Sequence, residues 1–132
     1  MTTTVASRQQ YRYERYHPSP DLDPYVEHYW VVKWDLRGQA PERAETLPHP
    51  SVHMIFERDG RSRIRGAARA KFSRLLEDKG GVFAVKFRPG GFYPFVGIPV
   101  SRFSDTTARL HDVFGAEGAA LDSAVLAESA DL

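Results

Sequence analysis

The stretch VFAVKFRPGGFYPFVGIPV, residues 82–100, decides the fold that the sequence predicts. Its first half alternates large apolar residues with small or charged ones, which is typical of a strand that buries one face. The alternation stops at Pro89-Gly90-Gly91, where proline fixes φ and glycine permits a left-handed backbone. An aromatic cluster follows at once, and we expect it to be buried at the corner of a compact β domain: Phe92, Tyr93 and Phe95.

Other segments carry similar strand signals. Residues 26–36, VEHYWVVKWDL, are rich in aromatic and β-branched residues and give the clearest strand. Residues 51–57 and residues 71–77 predict two more strands. Asp59-Gly60 is a strong hairpin signal, and Gly80-Gly81 predicts a further hairpin turn. Short strands at regular spacing, with turn signals between them, predict a β-sandwich or β-barrel.

The C-terminal part of the chain changes to helical patterns. Residues 110–114 predict a short helix that ends at Gly115. Residues 117–129 predict an alanine-rich helix whose apolar side chains recur at helical spacing, among them Leu121 and Val125. Because such a stripe requires a partner, we expect this helix to pack on the β domain or to pair with its copy in a dimer.

Composition narrows the class of protein. A chain of 132 residues with 42% hydrophobic residues is the size of one domain and can bury a core. Its 18 basic and 17 acidic residues nearly balance, which lacks the basic excess typical of nucleic-acid binding. The chain has no cysteine, which excludes disulfides, thiolate metal sites and cysteine nucleophiles. We find no signal peptide and no apolar run long enough to span a membrane, and expect a cytoplasmic protein.

The strand at residues 26–36 carries candidate ligand-binding residues. His28, Trp30 and Trp34 share one face of it. Aromatic walls with one polar group are typical of a ligand pocket, whereas in a filled core the same side chains find backbone partners. Both interpretations stay open. The candidate set is completed by three residues from elsewhere in the chain: His53, Arg88 and Tyr93. An arginine at position 88 suits a ligand carboxylate, but such a residue more often pins a turn or pairs with a nearby acid.

A metal site is the alternative for part of this set. His49, His53 and Glu57 recur at a spacing of four, which places them on one face of a strand. Imidazole and carboxylate are ligands that transition metals use. However, this spacing separates side chains by about 13 Å along a strand, so one ion requires a bend at Pro50. We favour the interpretation without metal and expect no cofactor.

No catalytic motif stands out in the sequence. A nucleophile elbow of the type G-x-S-x-G is absent, and Pro89-Gly90-Gly91 lacks the lysine and hydroxyl residue of a phosphate loop. A local group of basic residues favours a solvated sheet edge, with nucleic-acid contact as the lesser alternative. Its members are Arg61, Arg63, Arg65, Arg69, Lys71 and Arg74.

Four blocks of the sequence resemble a known family when they are taken in order. They are HPSPDLDPYVEHYWVVKWDL (residues 17–36), LPHPSVHMIFE (47–57), VKFRPGGFYPF (85–95) and SRFSDTTARLHDVFG (101–115). Together they are similar to the N-terminal part of bacterial AraC/XylS-type transcriptional regulators. The resemblance implies a regulatory domain with a cupin-like β-barrel, followed in those proteins by a C-terminal domain with two helix-turn-helix units that bind DNA.

Two departures limit what the resemblance implies. The metal-binding cupin pattern contains a histidine-x-histidine pair, which this sequence lacks. The chain ends at Leu132 without a helix-turn-helix segment. We therefore expect contact with DNA only through a C-terminal domain that this chain does not contain.

The combined expectation is a mainly β, non-catalytic domain with a cupin-like β-barrel or sandwich and short C-terminal helices. Residues 1–16 would form a flexible segment, residues 17–115 the regulatory domain, and residues 116–132 an amphipathic helix. The domain would sense a small-molecule effector, form a homodimer, or do both. The alternatives are a metal-dependent cupin enzyme and a structural scaffold that binds no ligand.

Overall fold

The computed structural model describes residues 11–46 and 51–129, which form two antiparallel sheets and three short α-helices. The strands are β1 (Tyr11–Tyr16), β2 (Val26–Asp35), β3 (Glu42–Thr46), β4 (His53–Phe56), β5 (Arg63–Arg65), β6 (Phe72–Leu76), β7 (Lys79–Phe87) and β8 (Thr107–Arg109). The helices are α1 (Tyr93–Val96), α2 (Leu110–Phe114) and α3 (Ala116–Glu128), with a 3₁₀ turn at Val100–Phe103.

Six strands form the larger sheet in the order β1-β2-β7-β4-β5-β8, and β3 pairs with β6 in a separate ribbon. The mainly β prediction is confirmed. The cupin-like barrel is not confirmed, because among the described residues neither sheet closes on itself. β1 and β8 are the edges of the larger sheet. β1 contains the last six residues of the segment predicted to be flexible, and these residues, Tyr11 to Tyr16, pair with β2.

One face of the larger sheet is covered by the helical C-terminal part of the chain. Met54 of β4 lies between Val85 of β7 and Ile64 of β5, so these side chains share that face. Several residues that follow β7 pack against them: Phe92, Phe103, Leu110, Phe114, Val125 and Leu126. Burial of this face holds α2 and α3 on the sheet.

The opposite face is covered by the β3–β6 ribbon. Ile55 of β4 pairs with Ala84 of β7, and both are buried beside Trp34. Leu76 of β6 and Ala44 of β3 pack against the same cluster. This side of the larger sheet is called the inter-sheet face below.

The predicted strands at residues 26–36, 51–57 and 71–77 are confirmed as β2, β4 and β6. The hairpin signal is also confirmed. Asp59 and Gly60 both have left-handed φ, at 63° and 73°, as a tight turn between β4 and β5 requires.

The turn predicted at Gly80-Gly81 is wrong, because both glycines lie inside β7. The chain reverses earlier, at Asp78, which has a left-handed φ of 60°. Gly80 is required for a different reason. A Cβ atom there would lie 2.5 Å from Cζ2 of Trp34, so the missing side chain gives the indole ring its place.

The aromatic cluster after Pro89-Gly90-Gly91 is only partly buried. Phe92 is fully buried, with ring centroids 4.9 Å from Phe87 and 5.7 Å from Phe103. Tyr93 is 53% exposed and Phe95 is 45% exposed, so the prediction that all three are buried is wrong for these two. α1 is a single turn at the surface with no buried residue, and of the three aromatics only Phe92, which precedes it, is buried.

The two C-terminal helices are confirmed, and Gly115 separates them with a φ of 63°. The apolar stripe of α3 divides. Val125 and Leu126 pack into the helix-covered core, whereas Leu121 is 42% exposed.

We predict that Gly80→Ala destabilises the protein by about 1–3 kcal/mol, because the new methyl group displaces a buried ring. The fluorescence emission of Trp34 should shift with it. Urea denaturation and emission spectra measure both effects.

Gly38→Ala is the control for this substitution. A Cβ atom at position 38 would meet no other atom within 4 Å, and the backbone there has a left-handed φ of 77°. A cost of about 1 kcal/mol without a spectral change is therefore expected. Equal spectra for the two variants would contradict the packing of Trp34 on Gly80.

Candidate ligand-binding site on the inter-sheet face

Five neighbouring strands align polar side chains in one row across the inter-sheet face. The cross-strand register places them opposite one another in the order β2, β7, β4, β5, β8: His28, Lys86, His53, Arg65 and Thr107. Directly paired residues point to the same side of a sheet. The first four, which carry two imidazoles, an ammonium and a guanidinium, are called the basic row below.

An aromatic wall lies beside the basic row. Trp30 occupies the next position on the same face of β2 and is half-buried. Its ring meets His53 edge to face at 6.0 Å and stacks on Tyr13 at 6.1 Å. Of the sequence-predicted ligand residues, the structure thus brings His28, Trp30 and His53 to one surface.

One carboxylate serves two members of the basic row. Glu27 Oε2 lies 3.2 Å from Lys86 Nζ and 3.6 Å from His28 Nδ1. Burial alone would raise the pKa of Glu27, but the hydrogen bond and charge of Lys86 outweigh it and lower the pKa below its ordinary value. The β2 end of the basic row is therefore charge-compensated.

The β5 end of the basic row has no such carboxylate among residues 11–46 and 51–129. The half-buried guanidinium of Arg65 lies 4.0 Å from the ring centroid of Phe72 on β6. Burial and the nearby charge of Arg63 lower the pKa of Arg65. The cation–π contact replaces part of the lost hydration.

Trp34 is on the same face, but its contacts are those of a core residue. Its Nε1 donates a hydrogen bond to the carbonyl of Glu77 at 3.1 Å. Its ring packs on Gly80 and lies 5.0 Å from the guanidinium carbon of Arg74. Trp34 therefore closes the apolar half of the face rather than lining the polar half.

Arg88 and Tyr93 lie apart from the other candidates. Arg88 donates hydrogen bonds to the carbonyl of Asp23 at 2.7 Å and to its carboxylate at 3.1 Å, which fits the turn-pinning alternative. Tyr93 is exposed on α1, next to Phe92 of the helix-covered core, on the other side of the sheet.

Glu57, a ligand in the alternative metal set, is enclosed by arginines. Arg74 binds its carboxylate in a bidentate manner at 2.8 and 2.7 Å, and Arg63 donates at 2.9 Å. His53, the second candidate ligand of the metal set, lies in the basic row. His49, the third, lies outside the described residues. Within the described ranges, no three His, Cys, Asp or Glu residues are grouped as a metal ion requires.

The ionisation of Glu57 is set by these partners. Burial alone would raise its pKa, but the hydrogen bonds from Arg74 and Arg63 outweigh burial and lower the pKa of Glu57 below its ordinary value. A buried carboxylate with bidentate arginine pairing is therefore ionised at neutral pH and joins β4 to both β5 and β6.

The basic group predicted as a solvated edge divides into two sets. Arg69 pairs with Asp105 at 2.9 Å and Lys71 with Glu45 at 3.5 Å, and all four are exposed. The other members turn toward the inter-sheet space or the cleft beside it: Arg61, Arg63, Arg65 and Arg74.

Lys86 and Arg109 are functional candidates that the local sequence patterns do not single out, and Arg65 was predicted only as a member of the basic group on a solvated edge. Strand alternation places Lys86 on the face of Ala84, which is a signal that could have identified it. Arg65 joins the row through the β4–β5 hairpin, whose turn signal is local, whereas Arg109 requires the pairing of β5 with β8, which no local pattern encodes.

Comparison with known proteins identifies the family. Residues 14–109 match the family model described as Domain of unknown function (DUF6597). The chain belongs to the DUF6597 family. The match includes β2 to β8 in full, and so the ribbon and the basic row, but it begins within β1 and ends before α2 and α3. No curated protein and no solved structure matches the chain.

Among residues 11–46 and 51–129, no helix has the length and apolar composition needed to cross a membrane.

We predict that Glu57→Gln destabilises the protein by about 3 kcal/mol at pH 7, because it leaves the charges of Arg63 and Arg74 without their counter-ion. Since the pKa of Glu57 is lowered in the folded state, its contribution is present above about pH 4.5 and is lost as the pH falls further. The difference between wild type and variant should therefore narrow in acid. Urea denaturation at pH 7 and below pH 4 measures it.

Glu45→Gln is the matched control. It removes an exposed carboxylate that lies 3.5 Å from Lys71, and a cost below about 1 kcal/mol is expected. Equal costs for the two substitutions would show that Glu57 is not the carboxylate that joins the sheets.

Proposed function

We propose that this DUF6597 domain is the effector-sensing domain of an AraC-type transcriptional regulator and performs no catalysis. The observation that carries the proposal is a hairpin with contacts on both sides of the larger sheet. The β4–β5 hairpin bears Glu57 and Arg61 at the inter-sheet face, and Arg58 and Ser62 that contact α3.

The contacts between the hairpin and α3 are specific. Arg58 donates hydrogen bonds to the carbonyls of Leu126 and Ser129 at 2.9 and 3.0 Å, at the C-terminal end of the helix. The hydroxyl of Ser62 donates to Asp122, and its oxygen accepts a hydrogen bond from the backbone N–H of Glu57 at 3.0 Å. Glu57 is therefore linked to α3 through Ser62.

A ligand on the inter-sheet face has a physical route to α3. If it binds one arrangement of the β3–β6 ribbon better than another, it shifts the population toward that arrangement. Arg74 of the ribbon contacts Glu57 of the hairpin, so the ribbon and the hairpin share an ion pair. In the AraC-type regulators that the sequence resembles, the DNA-binding domain follows this region, and α3 would transmit the change to it.

The basic row and Trp30 are the proposed effector contacts. A half-buried indole offers a flat apolar surface, and imidazole, ammonium and guanidinium groups fix the orientation of an acidic or polar ligand. His53 touches both, because its ring contacts Trp30 and its strand position lies between Lys86 and Arg65.

A thermal-shift screen of small metabolites tests this function. We expect a binder to quench Trp30 fluorescence and to slow amide exchange in the last turn of α3. Trp30→Phe should lose the quenching, while Trp34 still reports folding. A binder that quenches Trp30 without changing exchange in α3 would contradict sensing. Absence of binders would favour a structural scaffold.

Dimerisation through α3 is the second part of the proposal. Leu121 is exposed on the helix while Val125 is directed into the domain's own core, so the two substitutions should behave differently. We predict that Leu121→Glu yields a monomer with unchanged stability, whereas Val125→Ala costs about 1 kcal/mol. Light scattering and urea denaturation measure these effects, and a wild-type chain that is monomeric at high concentration would contradict dimerisation through α3.

A further inference from the structure

We infer that the cleft between the β4–β5 hairpin, β8 and Arg74 binds a small anion that carries a carboxylate or phosphate group. The cleft has a volume of about 400 Å³. This is the size range of small-molecule sites. Its lining residues come from separate segments of the chain, among them Glu57, Arg61, Arg63, Arg74, Thr107 and Arg109.

The charge of the cleft favours an anion. Four guanidinium groups and one carboxylate line it, so its net charge is +3, whereas the whole chain has a net charge of +1. Like charges gathered in a concave surface raise the local concentration of counter-ions. The lining of the cleft therefore attracts an anion.

Glu57 fixes two of these guanidinium groups in advance. Arg63 and Arg74 are bound to its carboxylate, with side chains that are 20% and 25% exposed. Arg61 reaches Glu57 only at 3.6 Å and its side chain is 61% exposed. The guanidinium groups of Arg63 and Arg74 are thus fixed at the bottom of the cleft. Arg61 lies at its rim, where its N–H donors are available to a ligand.

The position of Arg109 is not explained by contacts that stabilise the fold. It lies directly opposite Arg63 across the β5–β8 pair, which places two cations on neighbouring strands. Such a like-charge pair is destabilising. Within the described parts of the chain, the side chain of Arg109 makes no hydrogen bond or ion pair. A bidentate anion on Arg109, with the hydroxyl of Thr107 and a donor of Arg61 nearby, would relieve this repulsion.

Protection of the β8 edge is the competing explanation. Charged side chains on an edge strand prevent pairing with another sheet, and this accounts for an exposed arginine on β8. It does not account for the convergence of Arg61 from a turn and Arg74 from the other sheet on the same cleft. A concave site with converging donors favours a small anion over a flat polyanion.

The inference deepens the proposed function, because the cleft adjoins the β5 end of the basic row: Thr107, which lines it, lies opposite Arg65. The cleft would hold an acidic group of an effector that also contacts the basic row. The inference rests on the proposed function only in calling the bound anion an effector. Binding of an anion by the cleft does not require the domain to be a regulator. The two statements are therefore tested by different measurements.

Isothermal titration calorimetry and thermal shift with inorganic phosphate, citrate and succinate as probes test the inference. We expect at least one probe to bind in a one-to-one ratio and to raise the melting temperature. Arg109→Gln should weaken this binding by about tenfold or more, as the loss of a bidentate charged contact does. Because the side chain of Arg109 has no partner among the described residues, the variant should keep the wild-type fold by circular dichroism.

Arg102→Gln is the matched control, since it removes the same charge from an exposed site on the 3₁₀ turn, outside the cleft. Equal weakening by both substitutions would overturn the inference, because it would show a general charge effect. Binding of none of the three probes would overturn it too. Binding of heparin or DNA alone, with a steep salt dependence, would overturn it by identifying a polyanion surface instead.

Hydrogen exchange separates the inference from the proposed function. If a probe binds at Arg109 and amide exchange in α3 stays unchanged, the anion site stands and sensing through this cleft fails. If the probe slows amide exchange in α3 of the wild-type protein but not of the Arg109→Gln variant, both the anion site and the sensing function are supported.

Discussion

The buried carboxylate of Glu57 is the constraint on which the arrangement of the two sheets depends. It is 5% exposed and receives hydrogen bonds from Arg63 on the larger sheet and from Arg74 on the ribbon. A buried ion that lost these partners would cost several kcal/mol, so the ribbon is held at one position over the larger sheet. Because, within the described residues, β3 and β6 pair with each other and not with the larger sheet, this ion pair and the apolar cluster around Trp34 hold the ribbon in place.

That arrangement divides the inter-sheet face into two halves. At one end, Trp34, Val82 and Leu76 fill the space as a core does. At the other end, Phe72 and Arg74 of the ribbon face the basic row of the larger sheet and the cleft beside the β4–β5 hairpin. Charged groups face the ribbon there because each is paired, stacked or left at the solvent-exposed rim. A polar surface with fixed cations is the consequence, and it is the feature from which a ligand-binding function is proposed. The hairpin connects this surface to α3, and such a link transmits only a difference in ligand affinity between two arrangements.

The strands were predictable from sequence because alternation and turn chemistry are local. Residues 26–36 and the Asp59-Gly60 turn are examples in which the pattern and the structure agree. The site was less predictable, because it depends on register between strands that are distant in sequence. Strand parity places His53 and Glu57 on one face, which offered a metal site only as the less favoured alternative. The ion pair that the structure has at Glu57 could not be predicted, because its partners lie 6 and 17 residues away. Gly80 was likewise predicted as a turn residue. Its actual role, to leave space for the ring of Trp34, depends on a residue that is distant in the chain. The barrel implied by the family resemblance depends on closure between β1 and β8, which no sequence signal of either strand specifies.

A double-mutant cycle between Glu57 and Arg74 tests the central claim most directly. It compares the free energies of unfolding of wild type, Glu57→Gln, Arg74→Gln and the double variant in urea. A bidentate, buried pair that joins the two sheets predicts a coupling energy of about 2–3 kcal/mol. A coupling energy below about 0.5 kcal/mol, within the additivity of independent sites, would contradict the account.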